Sequence, residues 1–135
     1  MATMSDVINT RLLAVAAVTD LVGVGADARI YPVERQQGSA NPSITYQRVT
    51  NPKESAMGAD TGLTIPRFQV DCYADTYREV DDLAEAVRGA LQRWKGTVLG
   101  VVVQQTQMLS SQDLSESGAE EKRISMDFQF AHLEA

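Results

Sequence analysis

The sequence holds few of the side chains that enzymes use as nucleophiles, bases or metal ligands. It contains one histidine, His132, and one cysteine, Cys72. Nucleophilic catalysis needs a nucleophile, a base and a group that orients the base, and a zinc site is usually built from several cysteine or histidine ligands. Cys72 falls in an apolar row and His132 lies near the C-terminus, so we interpret both as structural residues. The sequence therefore predicts no catalytic residue and no zinc site.

Two groups of acidic residues have the composition of a divalent-metal site but not its spacing. Asp81 and Asp82 are adjacent in a predicted helix, so their side chains point about 100° apart around its axis. Glu116, Glu120 and Glu121 lie in a predicted connection, directly before two basic residues. We interpret both groups as solvated charges, and we expect no metal and no cofactor.

The helix that carries the two aspartates has the strongest pattern in the chain. Thr76 and Glu79 have the spacing of a capping box, in which a hydroxyl and a carboxylate satisfy the first backbone N–H groups. Apolar residues then recur at helical spacing, namely Val80, Leu83, Ala84, Val87, Ala90, Leu91 and Trp94. The sequence predicts this helix over residues 76–94 and another over residues 6–20, the latter capped by Ser5.

Alternating apolar and polar residues predict the strands. Over residues 64–74 the apolar side chains point to one side and the polar ones to the other. Further strands are predicted at residues 29–32, 43–50, 97–109 and 122–133, and the apolar run 98–103 favours a start covered on both faces. The predicted order is helix, three strands, helix, two strands.

These elements predict an α+β fold, formed by a single domain over residues 1–135. The sheet is expected to have about four to five strands and to be mainly antiparallel or mixed. The two helices are expected to pack on one face of this sheet.

Two predicted loops are long for a small domain. Residues 51–62 and 110–121 each contain one isolated apolar side chain. Long loops in compact domains often serve binding, so we interpret these two as arms that contact a neighbouring subunit. The polar row of the strand over residues 64–74 suits a subunit contact as well as solvent. The predicted interface residues are Met57, Arg67, Tyr73 and Leu114.

Composition and charge exclude several classes of protein. The 135 residues, 44% hydrophobic and 22% charged, fit one globular domain. Twelve basic and 18 acidic residues give a net charge of −6, whereas a dedicated nucleic-acid binder needs a surplus of lysine and arginine. No apolar run reaches the roughly 20 residues of a transmembrane helix, and the first residues lack the pattern of a secretory signal. We therefore expect neither nucleic-acid binding nor a membrane partner.

Two stretches in the middle of the chain carry a family resemblance. The stretches RFQVDCYADTY (67–77) and LAEAVRGAL (83–91) resemble the small tail-completion, or tail-terminator, proteins of long-tailed bacteriophages and prophages. The likeness continues through RIYP (29–32), PSITY (42–46) and RISMDF (123–128), so it covers most of the chain. It consists of strand and helix residues and includes no chemical motif.

The resemblance implies a structural virion protein that has no catalytic residues. Members of this family form a ring, commonly of six subunits, on the head-proximal end of the tail tube. The ring ends tube polymerisation and offers a surface for head–tail joining. The implied partners are further copies of the chain, the tail tube protein and a head–neck connector protein, and DNA passes through the lumen without specific binding. The implied location is the tail–neck junction of the virion, after assembly in the host bacterial cytoplasm.

Two other functions stay open at this point. One is another neck component, such as a head-closure or adaptor protein, which would differ in its partner. The other is a small ligand-binding or enzymatic α+β domain, which the lack of a polar catalytic cluster disfavours. Binding to polymerised tail tube would distinguish the terminator from a neck protein. A tightly bound metabolite would favour the ligand-binding or enzymatic domain.

Overall fold

The computed structural model describes residues 3–23, 25, 28–32, 41–50, 53–56, 59–114 and 121–133. In this part of the chain there are three helices and eight strands. The helices are α1 (Met4–Leu13), α2 (Ala16–Val22) and α3 (Tyr77–Leu91). The strands are β1 (Ile30–Pro32), β2 (Ser43–Thr50), β3 (Lys53–Ala56), β4 (Ala59–Thr64), β5 (Arg67–Ala74), β6 (Gly96–Val98), β7 (Val101–Asp113) and β8 (Lys122–Leu133).

The eight strands join into one sheet, in which β8 has neighbours along both edges. His132 of β8 is paired with Thr64 of β4 on one edge and with Val103 of β7 on the other. β5 pairs with residues 122–129 of β8, so β4 continues β5 along the same edge. Likewise β3, which pairs with β4, continues β2. The strands thus occupy six positions across the sheet, in the order β1, β2 with β3, β5 with β4, β8, β7 and β6.

The sheet is mixed, as predicted, because one pair of strands is parallel. β1 pairs with β2 in parallel, and every other pair among the described strands is antiparallel. The α+β class is therefore confirmed. The predicted number of strands was too low, because one segment expected to be loop holds both β3 and β4 and because a turn inside an apolar run was not recognised.

The segment over residues 51–62 was predicted as an exposed loop. Instead β3 and β4 prolong the β2–β5 hairpin, and Lys53 is paired with Thr64. The segment is polar and contains glycine, so its composition is that of a loop, and only the strand pairing makes it extended.

The apolar run 98–103 was predicted as one central strand, and this prediction is wrong. The chain folds back at Leu99 and Gly100, which have φ values of 53° and 82°. A two-residue connection with positive φ at both positions is the turn that suits the twist of a β-hairpin. Val101 and Val103 are buried, whereas Val102 between them is exposed, so one face of β7 is covered there. β7 also extends to Asp113, into a segment predicted to be loop.

The predicted helix over residues 6–20 is divided into α1 and α2 by Val15, whose backbone is extended. The break changes the phase of the buried stripe, so that Val18 and Val22 turn toward the core while Ala16 stays exposed. The predicted cap, Ser5, lies inside α1. The residue that caps α1 is Thr3, whose side chain accepts from the Asp6 N–H at 3.3 Å while the Asp6 carboxylate accepts from the Thr3 N–H at 2.9 Å.

α3 confirms the predicted cap and apolar stripe. Thr76 accepts a hydrogen bond from the Glu79 N–H at 3.2 Å, and the six predicted stripe residues from Val80 to Leu91 are all buried. The helix ends three residues earlier than predicted, because Gln92 is extended and Arg93 has a φ of 62°. The Arg93 N–H donates instead to the Thr106 carbonyl at 2.9 Å.

The core lies between the helices and one face of the sheet. α1 contacts β2 and β6, and α3 contacts β5, β7 and β8. Phe68 and Phe130 meet edge to face, with ring centroids 5.8 Å apart. The prediction that helices pack on one face holds, with three helices rather than two. The largest fully buried side chains are Phe68, Phe128, Phe130, Ile8, Leu12, Ile44, Leu83, Leu91, Met126, Val7, Val18 and Val22.

Candidate functional site

The face of the sheet opposite the helices is polar, and its central strands carry two ion pairs. In the first pair, the Arg123 Nη2 atom lies 2.9 Å from the Asp71 Oδ2 atom. Gln69 Nε2 also donates to both carboxylate oxygens of Asp71, at 3.0 and 3.1 Å. The Asp71 side chain is 7% exposed and that of Arg123 is 37% exposed. Asp71 is therefore a buried carboxylate that accepts hydrogen bonds from Arg123 and Gln69.

The second pair is more open to solvent. Arg67 Nη2 lies 3.1 Å from Asp127 Oδ2, and the two side chains are 40% and 26% exposed. Ser110 of β7 donates its hydroxyl to the same carboxylate oxygen at 3.3 Å. The pair therefore connects three neighbouring strands on the polar face.

The two ion pairs were missed by sequence reasoning, although the sequence holds a signal for them. β5 and β8 both contain the pattern Arg-x-x-x-Asp, in RFQVD (67–71) and RISMD (123–127). When two such strands pair antiparallel in the observed register, each arginine comes beside the aspartate of the other strand. The sequence predicted only that these residues point outward.

The structure brings two of the predicted interface residues to the same end of this polar face. On one side of β8, the Leu114 N–H donates to the Arg123 carbonyl at 2.9 Å. On the other side, Tyr73 of β5 is paired with Arg123 of β8. The guanidinium of Arg123 lies 5.8 Å from the centroid of the Tyr73 ring. Leu114 is 41% exposed, which is high for a large apolar residue.

The other two predicted interface residues are not part of this group. Arg67 lies at the opposite end of β5, six residues or about 20 Å from Tyr73. Met57 lies outside the described residues.

The two residues considered for nucleophilic catalysis and zinc binding, Cys72 and His132, both lie in strands of the sheet. Cys72 is fully buried, and burial, followed by the charge of Asp71, raises the pKa of its thiol well above the ordinary range. A thiol with a raised pKa is a poor nucleophile because little thiolate forms. His132 lies in β8 between β4 and β7.

The acidic residues considered for metal binding are dispersed. Asp81 and Asp82 are exposed on α3, and Glu121 accepts a hydrogen bond from Asn41 Nδ2 at 3.0 Å. Glu116 and Glu120 lie outside the described residues. Across the portion that the structure describes, no three histidine, cysteine, aspartate or glutamate side chains are grouped so that they could hold a metal ion.

The two ion pairs lie in β5 and β8, the strands that overlap the stretches 67–77 and 123–128 on which the family resemblance rests. The sequence model of the family described as tail completion protein gp17 matches residues 6–133. The chain belongs to this family. It is a phage tail structural protein, and the resemblance seen in the sequence is confirmed. A comparison with curated proteins finds no match.

Solved structures support the same fold. One chain of a virion of a native gene transfer agent particle is similar with a TM-score of 0.72, at 18% identity, over 93% of this chain and 91% of that one. A second solved chain is similar with a TM-score of 0.55, at 14% identity, over 96% of both chains. At these identities the likeness concerns the fold. In the described part of this tail completion protein, no helix has the length and apolar character needed to cross a membrane.

Proposed function

We propose that this tail completion protein acts as a single domain and forms a ring, of six subunits, that caps the head-proximal end of the tail tube. The ring stops the addition of tube protein and presents a surface to a head–neck connector protein. Membership of the tail completion family is the observation that carries this proposal. The ring belongs to the tail–neck junction of the virion and assembles in the host bacterial cytoplasm.

The extension formed by β3 and β4 supports a contact between subunits. Among the residues that the structure describes, β4 pairs with β8 only at Leu63 and Thr64, and beyond these two residues the extension is held by pairing between β3 and β4. A two-stranded ribbon is only marginally stable alone in water, so it gains from packing on another surface. We assign it to a neighbouring subunit, and Met57, between β3 and β4 in the sequence, to the same contact. A head-to-tail contact closes into a ring when the rotation between successive subunits completes a full turn.

The end of the polar face that contains Tyr73, Arg123 and Leu114 supports a second contact, either with a subunit or with a partner protein. An exposed leucine beside an aromatic ring and a guanidinium resembles the composition of protein interfaces, in which aromatic residues and arginine are enriched. Arg67, at the far end of β5, is assigned to the same polar face. The excess of acidic residues, −6 per subunit, is consistent with a lumen through which DNA passes without binding.

The proposal is tested by measuring mass in solution and then binding to tubes. Light scattering of the purified protein, alone and with polymerised tail tube protein, is expected to show an oligomer near six times 14.7 kDa, either free or on tubes. Electron microscopy is expected to show the added density at one end of each tube, and tubes are expected to stop growing. A protein that stays monomeric and ignores tubes would contradict the proposal. Binding only to the head-side connector would instead favour a head-closure or adaptor protein.

A shortened variant tests the role of the extension. Residues 54–63 are replaced by Asn-Gly, which joins Lys53 to its partner Thr64 through a two-residue turn. We expect this variant to fold, because the deleted residues lie beyond the β2–β5 hairpin, and to lose ring formation. The control is Leu99→Asn, which changes a different hairpin turn and is expected to keep assembly. Rings from the shortened variant would show that the extension is not the subunit contact.

A further inference from the structure

The exposed face of α3 carries charges of opposite sign at its two ends. The N-terminal half presents Asp81, Asp82 and Glu85, while the charges of Arg78 and Glu79 offset each other. At the C-terminal end the exposed charged residues are Arg88, Arg93 and Lys95. The apolar stripe of α3 is turned to the core, so these charges lie on the face that no other element of the described chain covers.

A glycine lies in the middle of this face. Gly89 is exposed, and a Cβ atom built on it would meet nothing within 4 Å. Glycine in a helix interior costs roughly 1 kcal/mol relative to alanine, and nothing within the described chain requires it here. Together with Glu85, Arg88, Gln92 and Arg93 it forms a shallow depression of about 350 Å³. The missing side chain allows another surface to approach the helix backbone.

The two arginines beside the depression differ in their pairing. Arg88 is held along its own helix, with its Nη2 atom 2.6 Å from Glu85 Oε2 and its Nη1 atom 3.3 Å from Gln92 Oε1. Arg93 follows the helix with a φ of 62°, and within the described part of the chain its guanidinium makes no hydrogen bond or ion pair. Arg93 is therefore a cation that is available to a carboxylate from outside.

We propose that this face of α3 is a contact between copies of the chain, in which Asp81 and Asp82 of one copy face Arg88 and Arg93 of the next. The occupant of the Gly89 depression is the acidic half of the second copy's α3. The argument rests on charge complementarity: the acidic half of α3 on one copy is opposite in charge to the basic end of α3 on the next, within a chain whose net charge is −6. The inference rests on the proposed ring and identifies part of its subunit contact.

Charge reversal tests this contact in a way that loss of folding cannot imitate. The acid-reversed variant is Asp81→Lys with Asp82→Lys, and the base-reversed variant is Arg88→Glu with Arg93→Glu. Each variant alone presents like charges at the contact, so we expect its self-association to weaken about tenfold or more. An equimolar mixture restores opposite charges, so light scattering is expected to show association regained. Wild-type association is expected to weaken when sodium chloride is raised from 0.05 to 0.5 M, because salt screens the exposed charges at the contact.

Variants at Gly89 provide a second measurement. Gly89→Gln fills the depression, so we expect it to stabilise the isolated chain and to weaken association. Gly89→Ala is the matched control, because it brings at least as large a gain in helix propensity with only one methyl group. Circular dichroism checks that every variant is folded.

The outcomes separate this inference from the proposed function. If wild type forms rings or caps tubes while both reversed variants do so equally well, or if the mixture fails to associate, the α3 contact is wrong and the ring stands. If wild type is monomeric both alone and with tubes, the contact and the ring are wrong together.

Discussion

Asp71 and Arg123 form an ion pair across β5 and β8, on the side of the sheet that faces away from the helices. Their atoms Oδ2 and Nη2 are 2.9 Å apart, and the Asp71 side chain is only 7% exposed. The pair is one of two that the repeated Arg-x-x-x-Asp pattern produces when the strands run antiparallel. Its burial on a polar face distinguishes it from the Arg67–Asp127 pair, which is more open.

The two pairs are expected to differ in their contribution to stability. Asp71→Ala leaves Arg123 without its buried carboxylate, and we expect a loss of about 1–3 kcal/mol, less than for a fully buried pair because Arg123 is partly hydrated. The matched control Asp127→Ala removes the exposed pair and should cost about 0–1 kcal/mol. Urea unfolding at one pH measures both variants. Equal losses would mean that burial does not set the contribution of these pairs.

Leu83 tests the packing of α3 on the sheet. The side chain is fully buried, so Leu83→Ala creates a cavity in the core and is expected to cost about 2–5 kcal/mol. The neighbouring exposed position gives the control: Asp82→Ala should stay within about 0.5 kcal/mol. Denaturant unfolding gives both values. A loss well below 1 kcal/mol for Leu83→Ala would contradict the packing.

Cys72 is expected to make stability depend on pH in the alkaline range. Burial raises the pKa of this thiol in the folded chain, whereas in the unfolded chain it titrates near about 8.5. Below that pH the thiol is neutral in both states and the stability is unaffected. Above it, the unfolded chain releases a proton that the folded chain retains, so the free energy of unfolding falls.

The comparison with Cys72→Ala isolates this effect from other groups. Between pH 8 and pH 10 the wild type is expected to lose about 1–2 kcal/mol more than the variant. Urea unfolding across this range measures the difference, and the variant keeps every other ionisable group of the wild type. Parallel curves for the two proteins would show that the thiol ionises as readily in the folded state.

Leu99 is expected to be an unfavourable residue for its turn. It has a φ of 53° and is 56% exposed, so it bears the strain of a left-handed backbone without burying much surface. Leu99→Asn should raise the free energy of unfolding by about 0.5–1.5 kcal/mol, because asparagine tolerates this conformation. The control is Val102→Asn in the same hairpin, where φ is not positive and no gain is expected. Thermal unfolding compares the stabilities of the two variants. A loss of stability in Leu99→Asn would show that the leucine side chain stabilises the fold although it is exposed.

Several elements could be predicted from the sequence because their signals are local. The cap at Thr76 and the stripe of α3 depend on residues within one helix, and the alternation of β5 and β8 reports that one face of each strand is buried. The outward direction of Arg67 and Tyr73 follows from the same alternation. The α+β class and the family resemblance both come from these elements, which is why both were confirmed.

Other features depended on pairing between distant segments, which periodicity does not report. The extension over β3 and β4 has the composition of a loop and becomes extended only because each strand supplies the other's hydrogen bonds. The run 98–103 looked like one buried strand, since an apolar stretch does not record where the chain turns back.

The candidate site also combines features that follow from local sequence with features that depend on strand pairing. The sequence by itself determined that Arg67, Asp71, Arg123 and Asp127 lie on a polar face, because side chains alternate along every strand. Only the tertiary structure decided that these residues pair, that Leu114 and Tyr73 flank Arg123, and that Asp71 is buried. Those facts follow from the register between β5, β7 and β8, and register is set by the whole core rather than by any one strand.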